Sequence, residues 1–496
     1  MKLYWDKLLS KQTKRVREIE KKENIKNKIK IDYRSKFDQD YDRIIFNPAF
    51  RRLQDKAQVF PLESNDFVRT RLTHSLEVSS ISRSIGISLE KLLIDKIKKE
   101  YKDYEIGIIP TIIASAGLIH DLGNTPFGHA GEKAIQNVFK KFFEKNKDII
   151  SEDKQKDFLN FDGNPQTFRI LTYLESIKDL FGLNLTYATL ASSIKYPVDS
   201  TKGNNCKFKK FGYFQSEKDF AEDVLKATSL LNSETGEACR HPLVLLLEAA
   251  DDIAYSVGDI EDGFKKGIFT LDYILELDFI KELDEIKRIE NNKKKYYTDD
   301  KIIMDIRINI QGKMIRDVLN VFINKYHSIM NGEYNGELLN DSESRKIREK
   351  LYEISKDKIF SNPQIYEVEF SGVKALEFLA NMFLEEFSKK EFIHNIYNKI
   401  KYNENELEKN KLKKDKKSHE NKIYNIIAKS YRKIYEEKLK YIIEKRDEKI
   451  DFYDIENELY YNSFLLITDY ISGMTDSYCI NLYRKLNAID IYRNII

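Results

Sequence analysis

The chain of 496 residues has few of the residues that end helices, with 19 glycines and 8 prolines. Because glycine and proline are the least favourable residues inside a helix, their scarcity predicts long helices and few tight turns. Cysteine is also rare. The chain has three cysteines, at 206, 239 and 479, which is an odd number without the spacing of metal ligands. This usage is typical of a protein in a reducing intracellular compartment.

No window approaches the roughly 18 uninterrupted apolar residues that a membrane-spanning helix needs. The opening residues, Met-Lys-Leu-Tyr-Trp-Asp, also lack the apolar stretch of a signal peptide. The sequence therefore predicts a cytoplasmic protein with no membrane partner.

Excess charge of one sign is absent too, since 84 Lys and Arg residues face 81 Asp and Glu residues and leave a net charge of +3. A dedicated nucleic-acid-binding protein is usually far more basic, so only a local basic patch stays open. Hydrophobic residues make up 41% of the chain and aromatic residues 12%, which excludes a disordered composition. The length suffices for one large core or two merged units.

The pattern along the chain predicts an all-α fold in three parts. Residues 1–40 form a charged N-terminal arm, which we expect to be exposed. Residues 41–275 form the core, and residues 276–496 form a helical C-terminal region packed on it. Within the last part, the charged segment at about 403–422 is interpreted as solvated helix surface or loop.

Histidines are scarce, with 7 in the whole chain, and three of them lie beside acidic residues in helical patterns. His74 is the first, near the start of a helix predicted from 69 to 93. The apolar residues that mark the buried face of this helix are Val78, Ile81, Ile85, Leu89 and Leu92. His74 lies four residues before Val78 and therefore shares that face, and Arg71 precedes His74 by three residues.

A second apolar helix leads into the dipeptide His120-Asp121. Ile113 and Ala116 precede His120 by seven and four residues and place it on the inner face. Asp121 is rotated by about 100° around the helix, yet a neighbouring imidazole and carboxylate can converge on one ion. A loop rich in Gly and Pro follows, and a new helix is predicted to begin near His129.

A third helix carries Asp251, Tyr255 and Asp259 at spacings of four, so that they form one stripe on an otherwise apolar surface. Such a stripe is unfavourable unless it lines a polar cavity or binds a cation. Asp252 points about 100° away from Asp251. We therefore interpret Asp252, together with Glu248, as supporting or structural residues.

Each of these three segments alone has a simpler explanation, because a lone buried histidine is most often a hydrogen-bonded core residue. Together they predict a metal site made of His74, His120, Asp121 and Asp251. Two imidazoles and two carboxylates suit Mn²⁺, Mg²⁺, Fe²⁺, Co²⁺ or Ni²⁺ better than a thiolate-bound structural zinc.

This ordered set resembles the metal site of the HD-domain phosphohydrolases, which are named after the His-Asp dipeptide. Longer segments are similar to the deoxyguanosinetriphosphate triphosphohydrolase (dGTPase) family, at 50–78, 117–132, 194–197, 248–263 and 469–478. The resemblance extends from near residue 40 to near residue 486. It implies an HD-domain helical fold with additional C-terminal helices, and a homo-oligomer that is often a hexamer in relatives.

The resemblance also implies the reaction, in which a deoxynucleoside triphosphate and water give a deoxynucleoside and inorganic triphosphate. Water attacks the α-phosphorus and the 5′ oxygen leaves. By resemblance, His129 and Glu132 are the catalytic pair, and His129 protonates the leaving oxygen. A histidine paired with a carboxylate three residues later suits acid–base catalysis near neutral pH. The alternative is that His129 only caps the following helix.

A triphosphate carries about four negative charges at neutral pH, so cations must converge on it. Arg71 and Lys195 are the candidates, and Tyr196 is assigned to substrate binding with Lys195 in the segment IKYP. Arg51 and Arg52 are further candidates that could equally form surface ion pairs.

The resemblance assigns Gln58 and Asp259 to the 3′-hydroxyl of the sugar. It places Tyr255 under the deoxyribose, where the ring would exclude a 2′-hydroxyl and thus ribonucleotides. From the sequence alone, Tyr255 is simply a half-buried tyrosine. Neither Asn124 nor the segment GMTD at 473–476 receives a chemical role.

Two alternatives to a dGTPase-like enzyme stay open. One is a different HD-domain phosphohydrolase, acting on nucleoside monophosphates, cyclic nucleotides or alarmones, although the segment GNTPFGHAGE is not required in such enzymes. The other is a regulator that binds nucleotides or nucleic acids and keeps the fold without turnover. A nucleotide effector or single-stranded DNA, contacted by the basic N-terminal arm, is a further partner hypothesis.

Overall fold

The computed structural model describes residues 1–16, 32–63, 65–176, 181–203, 209–281, 298–402, 419–445 and 452–489. Within these ranges the chain is helical, and β-structure is limited to isolated bridges such as Ala57 with Thr70. The prediction of an all-α fold is therefore confirmed. In the part of the chain that was searched, no helix is both long and apolar enough to cross a membrane.

The helices of the first half are named in chain order. They are α1 (Trp5–Leu8), α2 (Lys36–Ile45), α3 (Pro48–Arg52), α4 (Arg71–Glu100), α5 (Ile108–Ile119), α6 (Gly128–Lys145), α7 (Glu152–Leu159), α8 (Gly163–Arg169), α9 (Tyr187–Ala191), α10 (Ser200–Gly203), α11 (Lys218–Ala227) and α12 (Pro242–Lys265). Short 3₁₀ turns span Leu53–Asp55 and Gln215–Glu217, and a π-helical turn spans Ile170–Leu174.

The second half continues the same naming. Its helices are α13 (Leu271–Leu275), α14 (Asp278–Lys281), α15 (Asp299–Asn324), α16 (Tyr326–Met330), α17 (Arg345–Ile354), α18 (Pro363–Phe387), α19 (Lys390–Lys401), α20 (His419–Ile426), α21 (Lys429–Lys445), α22 (Phe452–Ser472) and α23 (Asp476–Leu486). A π-helical turn at Ser355–Phe360 follows α17.

The chain forms two compact units, each made of three separate stretches of sequence. Unit 1 contains 1–122, 184–197 and 219–368, and unit 2 contains 123–183, 198–218 and 369–496. This grouping differs from the predicted boundary at residue 275, because α15 and α17 belong to the same unit as α4, α5 and α12.

Unit 1 is built around α5, whose side chains from Ile108 to Ile119 are almost all buried. Helices α2, α4 and α12 pack against it, and α15 packs against both α4 and α12. A helix that is apolar on every side is stable only when other elements surround it. The sequence of α5 therefore requires its central position in the unit.

The two helices that flank α5 begin at side-chain caps. Thr70 precedes α4 and accepts a hydrogen bond from Thr73 N–H, while the Thr73 side chain accepts one from Thr70 N–H. His241 precedes α12 and accepts a hydrogen bond from Leu243 N–H, with Pro242 as the first helical residue. These caps satisfy backbone donors that have no partner within the helix.

Two sequence predictions about burial in unit 1 are wrong. Leu92 is 61% exposed, and Leu93 lies on the buried face instead. The two residues follow the buried Leu89 by three and four positions, and the helical repeat of 3.6 residues allows either of them to face the core. Residues 1–40 are not an exposed arm throughout, since Trp5 is 0% exposed and its indole N–H donates to the Tyr326 hydroxyl. A charge-rich segment can be anchored by a few large apolar side chains, which average composition conceals.

Unit 2 has an aromatic core. Phe139 of α6 stacks on Phe158 of α7, and Phe464 of α22 contacts both rings edge-on. Helix α23 begins after a turn that contains Gly473.

Some predictions concern residues outside the described ranges. Most of the charged segment 403–422 and residues 17–31 of the N-terminal arm belong to this group, as does Cys206. The other two cysteines, Cys239 and Cys479, are free thiols.

Candidate metal centre and substrate-binding residues

Three helices of unit 1 bring the four predicted metal ligands together. His74 lies in the first turn of α4, His120 and Asp121 directly follow α5, and Asp251 lies in the middle of α12. Suitable ligand atoms of His74, His120 and Asp121 all lie within 4.8 Å of one another.

Asp251 links the two imidazoles. Its Oδ1 atom lies 3.0 Å from His74 Nε2 and 3.4 Å from His120 Nε2, and Asp121 Oδ1 lies 3.6 Å from the same His120 atom. The two histidine rings are 5.3 Å apart between centroids. The structure therefore places the Asp251 carboxylate beside both imidazoles and the Asp121 carboxylate beside His120.

The hydrogen bonds of His120 fit a metal ligand. Its Nδ1 atom lies 2.8 Å from the carbonyl oxygen of Gly117, so the ring donates there, and the neutral ring carries its lone pair on Nε2. That Nε2 atom is buried and has no well-formed hydrogen bond within the described ranges. A buried nitrogen that faces carboxylates without a hydrogen bond is expected where a cation completes the site.

The electrostatics of the cluster favour positive charge. Burial opposes protonation of His120, but the carboxylates of Asp121 and Asp251 outweigh burial and raise the pKa of His120 to about 9. Burial would raise the pKa of Asp121, yet Arg71 and His120 lower it to about 2. A divalent cation would compete with the proton on His120, so metal affinity is expected to fall as the pH falls.

Arg71 and Lys195, the candidates for phosphate binding, both have acidic neighbours in unit 1. The Arg71 side chain is buried and its Nη1 atom donates to Asp121 Oδ2 at 2.5 Å. Lys195 Nζ lies 3.7 Å from Glu248 Oε1 and near the ring of the buried Tyr196. Burial opposes the charge of Lys195, but Tyr196 and Glu248 outweigh it and raise the pKa of Lys195.

Glu248 holds a second cation as well. Its Oε2 atom accepts from Arg240 Nη1 at 2.6 Å, and Arg240 Nη2 donates to the carbonyl oxygen of Gly336. Glu248 is thus an ion-pair partner of both Lys195 and Arg240.

The sugar-site candidates Tyr255 and Asp259 are neighbours one turn apart on α12. Burial and the nearby carboxylate of Asp262 raise the pKa of Asp259 well above its ordinary value. Burial also raises the pKa of Tyr255, whose ring stacks on Phe360. The pKa shift of Asp259 is in the direction of protonation, and a protonated carboxyl can both donate and accept hydrogen bonds.

Gln58 belongs to unit 1 and lies next to the start of α4. Ala57 forms a bridge with Thr70, and Arg71 N–H donates to the carbonyl oxygen of Lys56. The side-chain Oε1 atom of Gln58 is buried and has no hydrogen-bond partner in the described part of the chain.

The remaining candidates have clear positions but no assigned chemistry. Arg51 is exposed and Arg52 is half-buried, both at the end of α3 in unit 1. Asn124 belongs to unit 2, where its Oδ1 atom lies so close to Gly163 that an added Cβ would be 2.3 Å away.

His129 and Glu132 form the predicted pair near the start of α6, in unit 2. Glu132 Oε2 lies 2.9 Å from His129 Nδ1, and Glu132 Oε1 accepts a hydrogen bond from Gly163 N–H at 2.8 Å. The Glu132 side chain is buried, whereas that of His129 is 86% exposed. One carboxylate thus orients the imidazole and is itself held by a backbone amide.

Arg69 is a supporting residue that the sequence interpretation missed. Its guanidinium bonds Glu77 of α4 and both Glu261 and Asp262 of α12, and its Nη1 atom also donates to the carbonyl oxygen of Gly258. Arg69 therefore ties together the two helices that carry His74 and Asp251. The adjacent acids on α12 were the available signal, because buried carboxylates need a cationic partner.

Comparison with known proteins identifies the family of the chain. The family model described as HD domain matches residues 71–180, which include His74, His120 and Asp121. A deoxyguanosinetriphosphate triphosphohydrolase-like protein of Listeria innocua is 34% identical, with 98% of this chain and 99% of the relative covered.

Two further relatives extend the comparison. A protein of the same description from Synechocystis is 32% identical over 92% of this chain and 95% of its own length. A deoxyguanosinetriphosphate triphosphohydrolase of Yersinia enterocolitica is 28% identical over 92% of this chain and 94% of its own. The chain therefore belongs to the deoxyguanosinetriphosphate triphosphohydrolase-like family of HD-domain hydrolases.

Proposed function

We propose that this hydrolase is a metal-dependent deoxynucleoside triphosphate triphosphohydrolase. Its proposed substrate is dGTP, and the other dNTPs are further candidate substrates. The single observation that supports metal dependence most strongly is the position of Asp251 Oδ1, 3.0 and 3.4 Å from two imidazole nitrogens. The substrate class is inferred from relatives that are named for dGTP hydrolysis.

The residues that would hold the metal are His74, His120, Asp121 and Asp251. A bound divalent ion at this site supplies Lewis-acid polarisation of an α-phosphate oxygen and acidification of the attacking water. The nitrogen and oxygen donors fit Mn²⁺, Mg²⁺, Fe²⁺, Co²⁺ or Ni²⁺.

In the proposed reaction, the oxygen of water forms a bond to the α-phosphorus while the bond from phosphorus to the 5′ oxygen breaks. We assign delivery of the proton to the leaving 5′ oxygen to His129. Glu132 contacts Nδ1 of His129, which leaves the exposed edge of the ring for proton transfer. Without this proton the leaving group would be an alkoxide, which is a poor leaving group.

Substrate binding is assigned to side chains of unit 1. Arg71 and Lys195 neutralise phosphate charge, with Tyr196 beside Lys195. The carboxyl of Asp259 and the buried Gln58 Oε1 atom are polar groups that can hydrogen-bond the 3′-hydroxyl.

Tyr255 is proposed to select deoxyribose. Its ring is fixed by stacking on Phe360, with the ring centroids 6.2 Å apart, so a clash with a 2′-hydroxyl would be hard to relieve. A rigid aromatic ring under the sugar would therefore favour dNTPs over ribonucleotides.

The experiment is hydrolysis of the four dNTPs in the presence of Mn²⁺ or Mg²⁺, with GTP as the control and inorganic triphosphate as the measured product. We expect triphosphate from dGTP and almost none from GTP. Release of phosphate or pyrophosphate instead would indicate another HD-domain phosphohydrolase. Equal hydrolysis of GTP would refute the role of Tyr255.

The family resemblance also leads us to propose a homo-oligomer, with a hexamer as the candidate assembly, and a cytoplasmic location. Light scattering of the purified protein tests the assembly. Regulation by a nucleotide effector or by single-stranded DNA stays a prediction, tested by whether either ligand changes the rate of triphosphate release.

A further inference from the structure

The turn before α6 in unit 2 has an unusual backbone conformation. Gly128 N–H donates to the carbonyl oxygen of Thr125 at 3.1 Å, and Pro126 and Phe127 are the central residues of the turn. Phe127 has φ 60° and ψ 22°, in the left-handed region. A turn with positive φ at its third residue normally has glycine or asparagine there, so phenylalanine needs external support.

Asp476 provides such support from the far end of the sequence. Its Oδ1 atom accepts a hydrogen bond from Phe127 N–H at 3.0 Å, between residues 349 positions apart. Asp476 is 2% exposed and is the first residue of α23, within the segment GMTD. A buried carboxylate that binds a buried backbone amide makes a strong hydrogen bond, and its removal leaves that amide without this acceptor.

Close packing leaves the turn little room for another arrangement. An added Cβ on Gly372 of α18 would lie 2.5 Å from the ring of Phe127. One on Gly131 of α6 would lie 2.1 Å from the carbonyl oxygen of Pro126. Both glycines therefore allow neighbouring backbone to approach the turn closely.

The turn leads directly into the proposed catalytic pair. His129 is the second residue of α6, two positions after Phe127, and Glu132 is the fifth residue of the same helix. Helix α6 is thus fixed at its start by the Asp476 bond to Phe127 and again by the Gly163 bond to Glu132. Loss of the first bond would free the end of the helix that carries His129.

We propose that Asp476 is a positioning residue for His129, acting through the backbone of Phe127. This inference rests on the proposed function, since it takes His129 to be the proton donor. It gives the GMTD segment a physical role. A displacement of about 1 Å at a catalytic group can reduce the rate about 100-fold without weakening substrate binding.

The test compares D476A, D476N and H129A in the full-length protein, with triphosphate release from dGTP as the assay. D476A is expected to lower kcat by about 10- to 100-fold and to change KM by less than about threefold. D476N keeps an oxygen that can accept from Phe127 N–H, so we expect its kcat to stay within about threefold of the wild type.

Asp157 offers a matched control for lost stability. It is a buried carboxylate of the same unit that accepts hydrogen bonds from Gln215 N–H at 3.0 Å and from the Tyr461 hydroxyl at 2.5 Å. D157A removes a buried carboxylate acceptor that serves another backbone amide and should lower the melting temperature while kcat stays within about threefold. Both alanine variants are measured at a temperature where circular dichroism shows them folded.

The outcomes separate the two proposals. Loss of turnover in H129A, together with equal kcat values for D476A and D157A, would overturn the positioning role and leave the proposed function intact. Failure of D476N to recover the kcat lost in D476A would also overturn it. Wild-type turnover in H129A would refute the catalytic role of His129, and the positioning proposal would fail with it.

Discussion

Asp251 and Asp252 are adjacent in the chain but have different partners. Asp251 Oδ1 lies close to His74 and His120, whereas Asp252 Oδ2 lies 3.3 Å from Arg348 Nε. The rotation of about 100° between adjacent helical residues explains this difference. Asp251 therefore faces the proposed metal site, and Asp252 forms an ion pair with Arg348.

Replacement of Asp251 by Asn should therefore reduce metal affinity, because a neutral amide is a poorer ligand than a carboxylate. We expect Mn²⁺ binding, measured by calorimetry, to weaken by at least about 100-fold, since the loss of a residue that only hydrogen-bonds a metal ligand already reduces affinity 10- to 100-fold. D252N is the matched control and should bind Mn²⁺ within about threefold of the wild type. Equal loss in both variants would contradict the ligand assignment.

Lys195 is expected to act on the substrate triphosphate and not on the metal. Substitution by Met removes one charge-assisted contact, so KM for dGTP should rise by about 10- to 100-fold with a smaller change in kcat. K226M is the control, because Lys226 is an exposed residue paired with Glu222. An unchanged KM in K195M would exclude Lys195 from phosphate binding.

At the scale of elements, helix α12 depends on the neutral form of its capping histidine. His241 accepts from Leu243 N–H through Nδ1, and its Nε2 atom lies 3.1 Å from the carbonyl oxygen of Leu8, to which it donates. Burial lowers the pKa of His241 from 6.5 to about 4. Protonation would place a second N–H group against Leu243 N–H, so the charged form is incompatible with the cap.

This depressed pKa predicts a defined pH dependence of stability. The stabilising contribution is complete above pH 6.5 and is lost as the pH falls towards 4, by up to about 3 kcal/mol. In H241N, asparagine can still cap the helix, and its free energy of unfolding should depend less on pH in this window. Denaturant titrations of both proteins from pH 4.5 to 7.5 check this, and a constant difference between them would contradict it.

The sequence predicted the elements of the site because the necessary signals are local. Apolar spacing identified α4 and α12, and the Gly/Pro loop correctly marked the start of α6. Contacts between distant residues could not be predicted in this way. The bonds of Asp476 to Phe127 and of Gly163 to Glu132 involve backbone amides, which leave no trace in the residue types.

At the scale of the whole molecule, the two units are assembled from alternating stretches of sequence. The metal-site helices belong to a unit that extends to residue 368. Helix α15 contributes buried residues such as Met314 and Val318, and its Arg307 lies near Glu261 of α12. A core that ends at residue 275 therefore lacks α15, which packs against α12.

A fragment of residues 41–275 should not fold alone, because it lacks α15 and the buried Trp5 of the N-terminal segment. The free-energy cost of losing several fully buried side chains exceeds the free energy of unfolding of a typical domain. We expect the fragment to lack a cooperative thermal transition in circular dichroism, in contrast to the full chain. A folded fragment that binds Mn²⁺ would instead support the predicted core.

The central claim is that three helices deliver two imidazoles and two carboxylates to one divalent cation. The most direct measurement is anomalous X-ray diffraction from crystals grown with Mn²⁺. The account predicts one strong peak about 2.0–2.3 Å from His74 Nε2, His120 Nε2 and an oxygen of Asp121 and of Asp251. A well-ordered site without this peak, or with Mn²⁺ bound only elsewhere, would contradict it.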